Sequence, residues 1–247
     1  MPDRTLRTTD GLALVGKRLL GPVAPETTVV IVHGFTASSQ CPNVESLAAA
    51  VHADGFDVVT YDARGHGGSG GESTLGDCEA RDVAAAVALA RERTERVVIV
   101  GASMGAIATL RYVDSDADVA GAVIVSCPAE WRLPRNVRGV LGAAMTRTGI
   151  GRQVTARLCG VRIARRWTNP APPIELAAKM RVPVAYVHGA DDRFISPRDA
   201  QLLVDMTPQP SRLVIVPGMG HAFEPSAVDP VRESIAWVLS QYAERPR

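Results

Sequence analysis

The chain has 247 residues, 46% of them hydrophobic, which suits one large domain, or one domain with an insertion, around a sizeable core. A formal net charge of +1 gives no global pull toward nucleic acid. The absence of an apolar leader or long apolar run argues against a stable membrane anchor, so a soluble, cytoplasmic protein is expected.

The opening run 10–14, Asp-Gly-Leu-Ala-Leu, reads as an antiparallel edge strand. Six continuous β-rich runs follow at 29–32, 58–61, 97–100, 122–125, 184–187 and 213–216. They do not alternate apolar with polar, which fits parallel strands covered on both faces. Helical spacing fills most gaps. It places Val83, Val87 and Ala90 on one face of 82–90, and 197–206 and 230–242 each begin near a proline. This alternation predicts an α/β class, doubly wound, mostly parallel sheet.

From 128 to 179 the β-runs stop. Val137, Val140, Leu141, Ala144 and Met145 form a helical stripe, a second helix is expected over 153–167, and Asn169-Pro170-Ala171-Pro172-Pro173 reads as a rigid return linker. The expected organisation is a helical cap, 128–173, inserted into a core made of 1–127 and 174–247. Trp131 and Trp167 flank the cap, either as anchors and hinges or as substrate-binding walls of a pocket. The stretch to 179 carries ten basic residues (Arg132, Arg135, Arg138, Arg147, Arg152, Arg157, Arg162, Arg165, Arg166, Lys179) against Glu130 and Glu175. This is either a solvated face balanced by an acidic core or a device that recruits an anionic substrate or lipid surface. Arginine outnumbers lysine 25 to 2 throughout, a usage that reflects genome composition more than function. Cys41, Cys78, Cys127 and Cys159 lack metal or redox spacing and read as reduced packing residues, so no metal is expected.

The chemistry is concentrated at 97–106. Val97-Val98-Ile99-Val100 is a buried strand, Gly101-Ala102-Ser103-Met104-Gly105 a tight turn, and the following residues begin a helix. The flanking glycines relieve collisions in such a turn, and the Ser103 hydroxyl is left exposed above the sheet. A serine hydroxyl is a weak nucleophile that needs a base and a group to orient that base. Asp192, in His188-Gly189-Ala190-Asp191-Asp192, and His221, in Gly218-Met219-Gly220-His221, both follow strand ends, where active sites of open parallel sheets lie. Asp191 is a second candidate acid, although the spacing from Gly189 favours Asp192.

Five motifs in order, His33-Gly34-Phe35-Thr36, Asp62-Ala63-Arg64-Gly65-His66-Gly67-Gly68-Ser69, the serine turn, His188-Gly189-x-x-Asp192 and Gly220-His221, resemble the α/β-hydrolase-fold serine hydrolases over nearly the whole chain. Within that fold the chain looks most like bacterial carboxylesterases and lysophospholipase-like hydrolases. The resemblance implies a Ser103, His221, Asp192 triad and an oxyanion hole from the backbone N–H groups of Phe35 and Met104. It further implies cleavage of a small-molecule ester through an acyl-enzyme with no cofactor, and the recruiting reading of the basic stretch would make that ester anionic or fatty-acyl. Thioesters and carbon–carbon bonds are open on the same triad, as is a binding protein that does no chemistry. Asp62, Arg64 and His66 read as braces of their loop, with Arg64 and Asp62 hydrogen-bonded internally. His33 and His188 read as structural, His52 as a surface helix residue, and Cys127 as a packing residue or pocket wall.

Overall fold

The computed structural model describes residues 4–244 except 22, 24, 116–117 and 132–136, and only the backbone of 137–141. Arg132 and Arg135, and the side chains of Val137, Arg138, Val140 and Leu141, therefore lie outside the described residues. Among those described, eight strands form one sheet: β1 (Arg4–Arg7), β2 (Ala13–Leu19), β3 (Thr27–Val32), β4 (Asp57–Tyr61), β5 (Arg96–Ala102), β6 (Gly121–Val125), β7 (Val184–Gly189) and β8 (Ser211–Val216). Their order is β1-β2-β4-β3-β5-β6-β7-β8. The β1–β2 and β2–β4 pairs are antiparallel and all the others are parallel.

The unbroken apolar runs follow from burial on both faces, because successive side chains on a strand point to opposite sides. Val30, Val32, Ile99, Ile124 and Tyr186 enter one core. Their neighbours Val29, Ile31, Val98, Val100, Val123 and Val187 enter the other. Helices α2 (Glu79–Arg91) and α3 (Met104–Asp114) cover the first core, joined by Leu203 of α7 (Pro197–Met206). Helices α1 (Pro42–Ala53) and α8 (Val228–Ala243) cover the second through Leu47 and Val51, and through Val231, Ile235 and Val238. Helix α7 spans the residues that the sequence pattern indicates. Strand β1 is an addition to the sequence reading: in Arg-Thr-Leu-Arg only Leu6 is buried, too little to mark a strand by pattern.

Between β6 and β7 run α4 (Val137–Arg147), α5 (Gly149–Cys159) and α6 (Pro173–Ala177). The helix expected over 153–167 is shifted and shorter. The Thr148 side chain accepts the Gly151 N–H at 2.9 Å and starts α5 at Gly149. Gly160, at φ 66°, stops it in the left-handed conformation that favours glycine. Residues 161–172 are irregular apart from a bridge between Ile163 and Ser73, which ties this segment to the loop before α2. Leu176 and Ala177 of α6 are buried in the first core.

A candidate active site

The right-handed parallel strands deliver their following loops to one edge of the sheet. Ser103 sits there between β5 and α3 at φ 53°, ψ −113°, a backbone strained for any non-glycine residue. Its neighbours must be glycine for a steric reason. A Cβ on Gly101 would press on the Thr109 hydroxyl and come 2.5 Å from the Gly105 carbonyl oxygen. A Cβ on Gly105 would press on the Val32 carbonyl and come 2.6 Å from that of His33. Tight contact of α3 against β3 and β5 therefore aims the serine outward.

His221 lies in the loop after β8, and its Nε2 is 3.1 Å from Ser103 Oγ. Its Nδ1 is 2.7 Å from Asp192 Oδ2. Asp192 follows β7 and has a fully buried side chain. Its other oxygen accepts the Phe194 and Ile195 N–H groups at 2.8 and 3.0 Å. Burial alone would raise its pKa. Hydrogen bonds from His188, from His221 and from the Ile195 N–H outweigh burial and hold the carboxyl well below the usual carboxylate range. Asp191, the alternative acid, is exposed and gives its N–H to the Met219 carbonyl at 3.0 Å, so Asp192 is the one that reaches His221.

Three residues steady this arrangement, and of these only His188 stands in a motif that the sequence reading singled out. The Glu224 carboxylate accepts the N–H groups of Gly220 at 2.8 Å and His221 at 3.1 Å. Ser126, after β6, accepts the Ala222 N–H at 3.1 Å. The buried His188 places Nε2 3.1 Å from the Ile195 carbonyl and 3.4 Å from Asp192 Oδ2. The available signal was local: a carboxylate three and four residues beyond two backbone N–H groups can close a turn on them.

Gly34 brings the loop after β3 against the serine turn; a Cβ there would lie 3.3 Å from Ala102 O and 3.4 Å from Ser103 Cβ. The Phe35 N–H that follows has no hydrogen-bond acceptor among the described residues, and Met104 is the first helical residue of α3, whose N–H lacks an intrahelical partner. Phe35, Ser103 and Met104 line one cavity of about 1160 Å³ together with Trp131 and Trp167. Those two indoles meet edge to face at 5.2 Å, and Trp131 Nε1 donates to the Pro170 carbonyl at 2.7 Å. Trp167 is 45% exposed, so it is a wall of the cavity and not a core anchor.

The residues after β4 do brace their loop, with a different pairing from the expected one. Asp62 accepts the N–H groups of Ser39 and Gly68. Arg64 instead pairs with Asp82 at 2.7 Å and Asp10 at 2.9 Å. His66 contacts the Arg64 carbonyl at 3.0 Å. His33 is held between the Gly34 carbonyl and the Ala63 N–H, and His52 is half-buried on α1, 2.8 Å from the Phe56 carbonyl. Cys127 is buried apart from the cavity wall. Among the described residues no helix is long and apolar enough to cross a membrane, and no cluster of three or more His, Cys, Asp or Glu is placed to hold a metal.

Comparison with known proteins agrees with the fold. The chain is 30% identical over 224 residues to the uncharacterized protein YqkD of Bacillus subtilis, a match covering 81% of this chain and 67% of that protein. It superposes on the esterase Pf2001 of Pyrococcus furiosus with a TM-score of 0.75 at 19% identity, covering 97% of this chain and 91% of that one. For the esterase RhEst1 of Rhodococcus sp. ECU1013 the TM-score is 0.69 at 23% identity, with 99% of each chain covered. Residues 23–168 match the family model described as serine aminopeptidase, S33. With more than half its length matched and the sheet order described above, the chain belongs to this S33 family of α/β-hydrolase-fold hydrolases.

Proposed function

We propose that the protein is a carboxylic ester hydrolase that works through an acyl-enzyme on Ser103, with His221 as base and then acid, and Asp192 as its orienting carboxylate. The observation that carries this reading is the hydrogen-bonded chain from Asp192 through His221 to Ser103, 2.7 and 3.1 Å long, opening on the cavity. An ionised Asp192 can only accept, so His221 keeps its proton on Nδ1 and turns the Nε2 lone pair toward the serine hydroxyl. As Ser103 Oγ attacks the ester carbonyl carbon, its proton passes to Nε2, and Asp192 stabilises the imidazolium. The carbonyl oxygen becomes an oxyanion, for which the N–H groups of Phe35 and Met104 are the available donors. His221 then gives its proton to the departing alcohol. Water repeats the sequence, losing a proton to Nε2 as it attacks the acyl carbon, and release of the acid restores Ser103. A positioned base contributes ~10²–10⁴-fold and a single oxyanion donor ~10²–10³-fold, so both parts are required for useful rates. In this reading α4, α5 and the segment to residue 173 act as a cap that shapes the cavity, and the substrates are small cytoplasmic esters.

The family description favours a second reading, removal of N-terminal residues from peptides. That activity has to hold a substrate ammonium, which calls for carboxylates. The cavity wall carries Glu130, Asp192 and Asp199, but Arg147, Arg152, Arg165, Arg166 and Arg193 outnumber them, which makes the ester reading the stronger one.

Labelling with a fluorophosphonate probe, beside p-nitrophenyl esters of rising chain length, tests the proposal. The wild type should label and turn over esters, and Ser103→Ala should do neither while staying folded. A folded wild type that fails to label would leave the serine unactivated and favour a protein that binds small molecules without chemistry. Faster turnover of a matched thioester than of its oxygen ester would reassign the substrate to thioesters.

A further inference from the structure

Five of the chain's arginines converge on one place. Arg147 ends α4, Arg152 lies on α5, Arg165 and Arg166 lie on the segment after the Ser73–Ile163 bridge, and Arg193 follows the triad candidate Asp192. All five line the cavity that contains Ser103. None of them forms an ion pair among the described residues. Some arginines elsewhere are neutralised locally, Arg18 by Glu92, Arg93 by Asp57, Arg111 by Asp77, and Arg232 by Asp54 and Asp229, whereas others, such as Arg4, Arg157 and Arg198, also form no ion pair among the described residues but are scattered away from the cavity. What sets the five apart is that they share one opening, the one that leads to Ser103.

Acids share the wall but do not cancel this charge. Asp192 is committed to two histidines and two backbone N–H groups, and Asp199 is 6% exposed. Glu130 leaves a surplus of cations. Arg147, Arg165, Arg166 and Arg193 are exposed, so they stand at the mouth and not beside the buried serine turn. The same wall has an apolar part, with Leu75, Ile107, Ile163, Trp131 and Trp167.

We propose that these arginines form an oxyanion-binding subsite, and that the natural substrate is an ester bearing a carboxylate or phosphate at the end remote from the scissile bond. This rests on the ester-hydrolase reading above. The guanidinium fork matches both groups through paired N–H donors, and a partly enclosed opening is screened less than open surface. An apolar chain of a few carbons would bridge the anion and the reacting carbonyl along the indoles.

The test compares matched pairs: mono-p-nitrophenyl adipate against p-nitrophenyl hexanoate, and 1-butyrylglycerol 3-phosphate against 1-butyrylglycerol. The anionic member of at least one pair should have a kcat/KM at least about tenfold higher at low salt. The preference should shrink in about 0.5 M NaCl, where the screening length is only a few ångström. A preference within the first pair alone assigns a carboxylate, and within the second alone a phosphate. The double variant Arg165→Gln/Arg166→Gln should lower the anionic-to-neutral ratio about tenfold, and Arg165→Lys/Arg166→Lys should restore part of it. Arg4→Gln/Arg157→Gln removes an equal charge outside the cavity and should leave the ratio alone. A ratio near one for both pairs in wild type, or equal losses in the Arg4/Arg157 and Arg165/Arg166 variants, would overturn the subsite. If no ester is hydrolysed, the ester reading fails by itself. Calorimetric titration of Ser103→Ala with adipate and with inorganic phosphate then decides the subsite: binding abolished by the Arg165/Arg166 change upholds it, and no binding of either refutes it.

Discussion

Replacing Glu224 with glutamine should impair catalysis through His221 alone, because Glu224 does not line the cavity. Its two carboxylate oxygens hold the N–H groups of Gly220 and His221 at 2.8 and 3.1 Å. Glutamine keeps one acceptor and turns an amide NH₂ toward the other N–H, so one charge-assisted bond of about 2 kcal/mol is lost. The turn has a use for that energy. Ala222, the next residue, sits at φ 61°, a conformation costing ~1–3 kcal/mol for a residue with a side chain. The lost bond and the stored strain are similar in size, so the turn should relax and carry His221 away from Ser103 most of the time. At 1.4 kcal/mol per factor of ten, kcat should fall about 30-fold with KM little changed. Glu224→Ala, which removes both acceptors, should cost at least about 10²-fold. Kinetics on p-nitrophenyl butyrate give both parameters. The rate of fluorophosphonate inactivation gives a second readout, since it needs the same base and should fall by the same factor. A folded Glu224→Gln enzyme with kcat within twofold of wild type would refute the argument. So would a lowered melting temperature with an unchanged inactivation rate.

Three further outcomes are expected. Asp192→Asn keeps the shape of the site but can favour the wrong His221 tautomer, and kcat should fall by about 10⁴ on p-nitrophenyl esters with a far-UV circular dichroism spectrum like wild type. Gly105→Ala forces a Cβ onto the Val32 and His33 carbonyls, backbone that cannot swing aside, and should destabilise by about 3 kcal/mol or more in urea unfolding; a loss under about 1 kcal/mol would mean that the turn tolerates a side chain. Burial, with His66 alongside, pushes the His33 imidazole down from 6.5 to about 4, so the folded protein binds fewer protons than the unfolded chain between those values. Stability should therefore be complete above pH 6.5 and fall as pH drops toward 4, by roughly 3 kcal/mol from this group; urea midpoints from pH 7 to 4 should show the slope, and His33→Gln should flatten it.

How much of this was legible in the sequence depended on where each residue does its work. The parallel strands were readable because β-branched runs such as Thr-Thr-Val-Val-Ile-Val can only be satisfied by burial on both faces. Ser103, Asp192 and His221 were readable because each stands within a few residues of glycines that follow a strand. Spacing from Gly189 favoured Asp192 over Asp191, and the geometry agrees, since the Asp191 N–H is bound to Met219 across to the β8 loop. Helix α5 was misplaced because Gly149-Ile150-Gly151 is a poor helix start by propensity, and the Thr148 cap and packing override it. Arg64 was matched with the wrong acid because Asp10 and Asp82 come from distant parts of the chain. Glu224 and Ser126 act on backbone groups, which leave no mark on side-chain patterns.

The distribution of backbone strain gives a reason to treat the cavity as the working part of the molecule. Six non-glycine residues among those described have positive φ: Thr36, Leu75, Ser103, Ser126, Asn169 and Ala222. Thr36, Ser103, Ser126 and Ala222 follow β3, β5, β6 and β8 at the same edge of the sheet, and Leu75 and Asn169 line the cavity wall. At ~1–3 kcal/mol each, conformations of this kind would be expensive as accidents in a fold whose net stability is ~5–15 kcal/mol. For Thr36, Ser103 and Ser126 they persist because the buried strands β3, β5 and β6 beneath them fix where each loop begins. Strain scattered over the surface would have no such meaning. Strain gathered around a hydroxyl, an imidazole and arginines that form no ion pair among the described residues is what a rigid scaffold can hold when a site requires it, and it ties the arginine-lined wall to the same functional unit as Ser103.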